Sequence, residues 1–206
     1  MSYWEHRKPV QRIRAIDENS IARAAVELLD EGGLRALTVR SVAGKLGVAA
    51  ASLYSRVDSI DDLYDLALDE ALGSDQAVAA ALTEEQLSGL MLSYFRHLER
   101  HRWACQVIAM RAPRGPSYLR LSERMVVLLS EAGAADPLGA AYTLSNFVIG
   151  SATTASMSND ERSAPANAEI APIYSSLHRD HTVEPEVIVI AGLNALLMQV
   201  TDKDTS

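Results

Sequence analysis

The sequence predicts an all-α chain of two domains: a small N-terminal unit of three helices containing a helix-turn-helix, and a larger C-terminal helical domain. Three observations lead there. Apolar residues recur three and four apart through nearly every segment, the period of a helix with one buried face. Helix punctuation is dense, with Thr38, Ser59 and Asp136-Pro137 as starts and Gly32-Gly33 and Gly47 as stops. Charge is divided along the chain: residues 1–60 carry nine Lys or Arg against seven Asp or Glu, a net of +2, and residues 61–206 carry ten against twenty, a net of −10. A mildly basic head on an acidic body fits a nucleic-acid-facing module joined to a domain with another task.

Composition bounds the class. A chain of 206 residues, 48% apolar with only 11 Gly and 7 Pro, has enough apolar surface to bury a core and lies outside the disordered class. No run reaches the roughly 18 uncharged apolar residues that a membrane span needs, and the N-terminus, MSYWEHRKPVQRIR, has no apolar signal segment. A cytoplasmic protein without membrane contact is expected. The single Cys105 excludes an internal disulfide.

Residues 1–15 read as a basic arm, crowded with His6, Arg7, Lys8, Arg12 and Arg14 and kept irregular by Pro9; it either follows DNA phosphates or frays. Asp17 starts a helix with Ile21, Ala24, Ala25, Leu28 and Leu29 on one face, ended by Gly32-Gly33. Thr38 caps the next, where Val39, Val42, Ala43 and Leu46 recur at helical spacing until Gly47 closes the helix in a left-handed conformation. Val48 follows as an apolar plug. Ala49, Ala50, Ala51 and Ser52 then open a second short helix, small enough to approach a groove closely, with Leu53 and Val57 turned inward. Tyr54, Ser55 and Arg56 supply a phenol, a hydroxyl and a guanidinium, groups that bond phosphates or base edges. Ser59 caps a further helix through Leu63, Leu66, Ala67, Glu70 and Ala71 to Gly73, joining head (16–72) to body (73–206).

The run Leu34, Leu37-Thr38-x-Arg40, Val42-Ala43-x-x-Leu46-Gly47-Val48, Ser52-Leu53-Tyr54, Val57 and Leu63 resembles the DNA-binding domain of the tetracycline-repressor (TetR) family of bacterial transcriptional regulators over residues 16–72. The resemblance implies that Thr38 and Tyr54 hold phosphates and that Arg40 and the Ala49, Ala51, Ser52 corner meet base edges. Lys45 and Ser55 join that set, and Arg56 stands where relatives often carry His. It departs at Ile60, where relatives commonly place a phosphate-binding Lys. The alanines of the second helix leave direct readout to Arg40, Ser52, Ser55, thymine methyls and DNA shape.

In the body, Ser74 to Leu82 reads as an Ala-rich connection, and Thr83-Glu84-Glu85-Gln86 as a capping box opening a helix to about Arg102. Further helices are expected over Trp103–Arg111 and over 117–132, with Leu121, Met125, Leu128 and Leu129 inward. Asp136-Pro137 opens another, through Tyr142, Phe147, Val148 and Ile149 to about Met157, and Pro185 opens the last, EVIVIAGLNALLMQV. Asn159 to Ala168 reads as a polar loop. Two helices apolar on nearly all sides require burial all round, which a homodimer supplies; the resemblance implies the same, through a four-helix bundle.

His97 and His101, four apart, have a spacing that could share a metal, but Arg96, Arg100 and Arg102 read as a cationic, solvated face that opposes one. His178 and His181 sit in what reads as a polar loop. No nucleophile with a base at a recognisable spacing appears, nor a Gly-rich phosphate loop, so neither catalysis nor a cofactor is expected. Met91, Tyr94, Phe95, Met110, Met125, Tyr142, Asn146 and Phe147 combine thioethers, aromatics and an amide on helices expected to converge on a small-molecule site. The resemblance makes this the inducer site. At the loosely aligned position of the metal-binding His of the tetracycline-responsive branch stands Ile108, so the ligand is left open. The expected function is a repressor that binds double-stranded operator DNA as a homodimer and leaves it when a small, apolar inducer binds. A helical ligand carrier or enzyme that has lost operator binding is the alternative.

Overall fold

The computed structural model describes residues 2–7, 16–155, 157, 164, 166–181 and 184–201, and among these it is helical with no strand. The head is built on α1 (Glu18–Gly32), whose N-cap Asp17 accepts from the Ser20 amide at 3.2 Å. Ile21, Ala24, Ala25 and Leu29 face inward against α4 (Ile60–Gly73). Between them lie α2 (Val39–Lys45) and α3 (Ala50–Leu53), joined by Gly47 at φ 67°.

Residues 2–7 of the expected arm are held against the head. Residues 3–5 form a single turn, and the Tyr3 amide donates to Asp65 at 2.8 Å while the Tyr3 hydroxyl donates to Glu18 at 2.8 Å. His6 lies against Asp62, and Arg7 pairs with Glu18 at 2.9 Å. Residues 2–7 are thus tied to α1 and α4, while Lys8, Arg12 and Arg14 lie outside the described residues.

The body corrects two local readings. Residues 76–84 are not a loose connection but α5 (Gln76–Glu84), started by Asp75, whose carboxylate accepts from Ala77 and Val78 amides at 3.0 and 3.3 Å. Thr83 therefore ends a helix rather than capping one, its hydroxyl donating to the Ala80 carbonyl at 3.0 Å. Asp75 is the stronger start because its carboxylate reaches two orphan amides and is itself held from α6 (Leu87–Arg100). Then follow α7 (Arg102–Met110), α8 (Pro116–Glu131, with Pro at its first turn) and α9 (Pro137–Ala155). α10 (Pro172–Asp180) carries His178, with His181 as its C-cap, where a polar loop was expected; α11 (Pro185–Thr201) is last. Of the expected loop, residues 159–163 and 165 lie outside the described residues.

The His97 face of α6 is not solvated. His97 is fully buried, its Nδ1 2.9 Å from the Asp75 carboxylate, with Arg100 on the same carboxylate. Burial pushes the imidazole down to about 4, against the opposing pull of Asp75. His101 and the Trp103 indole both meet Asp30 of α1, at 2.8 and 2.7 Å, joining body to head.

α6 packs between α9 and α11 in the centre of the body. Within one chain α11 buries only part of its surface: Val189 and Leu193 point inward, while Val187 and Met198 are 63% and 71% exposed. The burial all round expected for this helix is not met by a single subunit. No single helix among the described residues is long and apolar enough to cross a membrane.

Candidate DNA-binding face and ligand cavity

The helix-turn-helix is held by its backbone. Thr38 accepts from the Ser41 amide at 2.9 Å, and the Ser41 hydroxyl accepts from the Thr38 amide at 2.8 Å, a reciprocal cap that starts α2. At its other end the Val48 amide donates to Ala43 carbonyl at 3.0 Å across the Gly47 turn. Leu53 and Val57 are completely buried, fixing α3 against the head's core. What is left on the outside is a small-residue surface: Ala49, Ala51, Ser52, Tyr54 and Ser55, with Arg40 of α2 beside them, all exposed. The Ser55 hydroxyl donates to the Ser52 carbonyl at 2.7 Å and keeps its lone pairs outward.

Two basic residues of the expected set stand differently. Arg56 is 5% exposed, and its Nε donates to the Ile16 carbonyl at 3.1 Å, so the guanidinium pins the start of α1 and does not lie on the outer face. Lys45 is on the surface but engaged by Glu27 and Glu31 of α1, each at 2.9 Å. Thr38 is exposed, its hydroxyl committed to the cap. Ile60, the first residue of α4, is 37% exposed.

The body contains a cavity of about 380 Å³ between α6, α7, α8 and α9. Four of the eight expected residues line it: Tyr94, Met125, Tyr142 and Asn146. Met91 and Phe95 are fully buried core residues, Met110 is 59% exposed away from the lining, and Phe147 packs over Gly192 of α11. Helical spacing placed these four on the right helices but not on the right side, because α6, α7 and α9 each pack on several neighbours. The wall also contains Ile108, which the resemblance had set at the inducer site, and Pro113, Arg114, Tyr118, Leu138 and Ser145, which the sequence reading missed. Tyr118 was legible in part, since it stands three and seven residues before Leu121 and Met125 on the same helix face.

Cavity and head meet on α4. Asp61, Asp65 and Asp69 stand four apart along one of its faces and grip the segment that joins α7 to α8. The Arg111 guanidinium binds Asp65 through two parallel bonds of 2.8 and 3.0 Å and reaches Asp61 at 2.6 Å. Asp69 accepts from the Ser117 amide at 2.7 Å, the Ser117 hydroxyl at 3.1 Å and the Tyr118 amide at 3.4 Å. Burial raises the Asp69 carboxyl, opposed by these bonds. Gly115, the N-cap of α8, has no side chain to cap it, and any side chain there would collide with Asp69, which does the capping from α4 instead. The residue after Ser117 is Tyr118, in the cavity wall.

A helix-turn-helix head coupled in this way to a cavity-bearing helical body defines a DNA-binding transcriptional regulator. Residues 21–67 match the family model described as "Bacterial regulatory proteins, tetR family", and residues 82–179 the one described as "Tetracyclin repressor-like, C-terminal domain". An HTH-type transcriptional regulator of Saccharopolyspora erythraea is 34% identical over 81% of this chain and 72% of its own length. The HTH-type transcriptional repressor DrrR1 of Streptomyces coeruleorubidus is 32% identical over 64% of this chain and 51% of its own. Among solved structures, the TetR family protein ActR of Streptomyces coelicolor in complex with (S)-DNPA superposes with a TM-score of 0.70 at 26% identity, covering 90% of this chain and 97% of that one. The chain belongs to the TetR family of transcriptional regulators.

Proposed function

We propose that this regulator is a cytoplasmic repressor that binds double-stranded operator DNA as a homodimer and releases it when a small molecule fills the cavity. The observation that carries the reading is the carboxylate ladder of α4. The segment it grips, from Arg111 to Tyr118, forms part of the cavity wall, so a ligand that displaces this wall acts on the helix that carries the head. The mechanism is a population shift: the ligand favours an arrangement in which the two heads no longer match successive major grooves. A complete reversal of occupancy needs a preference of about 5.5 kcal/mol between the two states. A repressor's name among the relatives and a ligand-bound ActR among the similar structures support the reading.

On the head, Arg40, Ser52 and Ser55 would meet base edges and Tyr54 a phosphate, with Ala49 and Ala51 giving close approach and thymine contact. Thr38 can add a phosphate contact only with the lone pair its cap leaves, and Lys45 only by leaving Glu27 and Glu31. The dimer would cover the exposed side chains of α11 and of α9, where Leu138 and Tyr142 are 57% and 60% exposed. No catalytic step is involved.

Fluorescence anisotropy with an operator fragment tests the head. Arg40→Ala is expected to weaken specific binding by about 1–3 kcal/mol and relax preference at one base position. Tyr54→Phe should weaken binding evenly across sequences and leave its salt dependence unchanged, because the phenol carries no charge. Unchanged affinity in both variants would contradict this assignment of the face.

A further inference from the structure

His6, Asp58 and Asp62 bring one imidazole and two carboxylates together on the head, in a cluster that neither the DNA face nor the cavity uses. The His6 Nε2 atom lies 3.1 and 3.2 Å from the two Asp62 oxygens and 3.7 Å from an Asp58 oxygen. This nitrogen and one oxygen of each carboxylate all fall within 4.8 Å of one another. An imidazole offers at most one N–H at Nε2, and three oxygens around it are more than one hydrogen bond can serve. A metal ion serves them all. Bonds of about 2.1 Å to one ion set its ligand atoms about 3.0–3.5 Å apart, close to the spacing found here.

The three side chains are held in place by the fold itself. His6 is the C-cap of a turn that Ser2 and Glu5 cap reciprocally, and the Tyr3 amide ties that turn to Asp65 on α4 at 2.8 Å. The Tyr3 ring meets the imidazole edge to face with centroids 6.0 Å apart, and the Ser2 carbonyl acts on the same imidazole. The Asp62 carboxylate is 2% exposed and accepts from the Asp58 amide at 2.6 Å, which fixes its orientation at the start of α4. Orienting contacts of this kind are what a ligating histidine and carboxylate ordinarily receive. Asp58 is 56% exposed and leaves a route for an ion and for the waters that complete its coordination. The neighbouring charges are engaged elsewhere, Arg7 by Glu18, and Asp61 and Asp65 by Arg111.

We infer that His6, Asp58 and Asp62 form a binding site for a divalent transition-metal ion that fastens the N-terminal turn to α4. An imidazole with two carboxylates suits zinc, iron or manganese, and its nitrogen disfavours magnesium and calcium, which take oxygen ligands. Two carboxylates carry more negative charge than one protonated histidine neutralises, and a divalent ion balances the pair. The ion acts on the head's own structure, because the turn it holds is bonded to both α1 and α4. The inference needs neither operator nor inducer and stands apart from the regulator reading.

Calorimetric titration with zinc chloride tests this on the full-length protein, without a histidine tag and freed of metal by dialysis against a chelator. Saturable binding of one zinc per protomer is expected. His6→Gln and Asp58→Asn, both at side chains that solvent reaches, should each weaken it about tenfold or more while circular dichroism stays that of the wild type. With zinc about a hundredfold above its Kd, the wild-type Tm should rise by roughly 5–10 °C, and that of each variant at the same zinc concentration by about half as much or less. No saturable binding, or a wild-type Tm that zinc does not move, overturns the inference. So does zinc affinity that either substitution leaves unchanged, which would place the metal on other side chains, or displacement of zinc by an equal concentration of magnesium.

Discussion

Replacing Asp69 by Ala removes three bonds at once from the junction of head and body. The Ser117 and Tyr118 amides lose their acceptor inside the protein, and Gly115 offers no substitute cap. Losing a helix cap costs about 0.5–2 kcal/mol, and stranding buried donors about 1–3 kcal/mol more, so a total of about 2–4 kcal/mol is expected. For a chain of this size each kcal/mol lowers Tm by about 2–4 °C, which gives a drop of roughly 5–15 °C in a calorimetric scan. Asp69→Asn should lose less. It keeps one acceptor oxygen and sheds a charge that burial already disfavours. Because Asp69 ties the α8 start to α4, the Ala variant is also expected to bind its ligand yet release operator poorly. A Tm within about a degree of wild type would refute the account of the junction.

Two glycines of the helix-turn-helix should respond in opposite senses. Gly47 has φ 67° and open space around a would-be side chain, so Gly47→Ala suffers from backbone strain alone, about 1–2 kcal/mol. Gly44, with equal space on α2 and an ordinary φ, should gain up to about 1 kcal/mol as Ala; equal effects in thermal melts would contradict this. His97 makes stability pH-dependent. Its folded form resists protonation down to about 4, while the unfolded imidazole protonates near 6.5, so its contribution is intact above that and lost as pH falls towards 4. Between pH 7.5 and 5 the loss is about 2 kcal/mol in urea unfolding, and His97→Gln should remove it. His6, raised by Asp62, acts in the opposite sense, contributing fully at low pH and fading above the ordinary histidine range, so the variant difference isolates His97.

The head was legible because its signals are local. Thr38, Gly47 and the inward pair Leu53 and Val57 act through neighbours a few residues away, and the structure places each as its type demands. Arg56 was not legible, because an arginine beside a recognition helix reads as a phosphate contact, and what buries it is a carbonyl forty residues earlier. The same holds for His97: its sequence neighbours are cations, but its partner Asp75 lies on another helix start. In the body, periodicity placed helices well where a Pro opened them, at 137 and 185. α10 was overlooked although Pro172 starts it, because its polar residues hide Ile173, Tyr174 and Leu177, which are exposed in the single chain. Periodicity identifies a buried face but not which of two neighbours it faces. For that reason Met91 and Phe95 fell in the core, while Tyr94, between them in register, reached the cavity.

The central claim is sequence-specific DNA binding by this head. The most direct measurement is binding of the purified full-length protein to fragments from around its own gene, with random DNA as competitor, at two salt concentrations. Retention of one fragment against competitor, weakening with salt and saturating at two protomers or a multiple per site, is the predicted result. Weak binding that is equal on every fragment would contradict the account and favour a helical ligand carrier that has kept the shape of the head without its use.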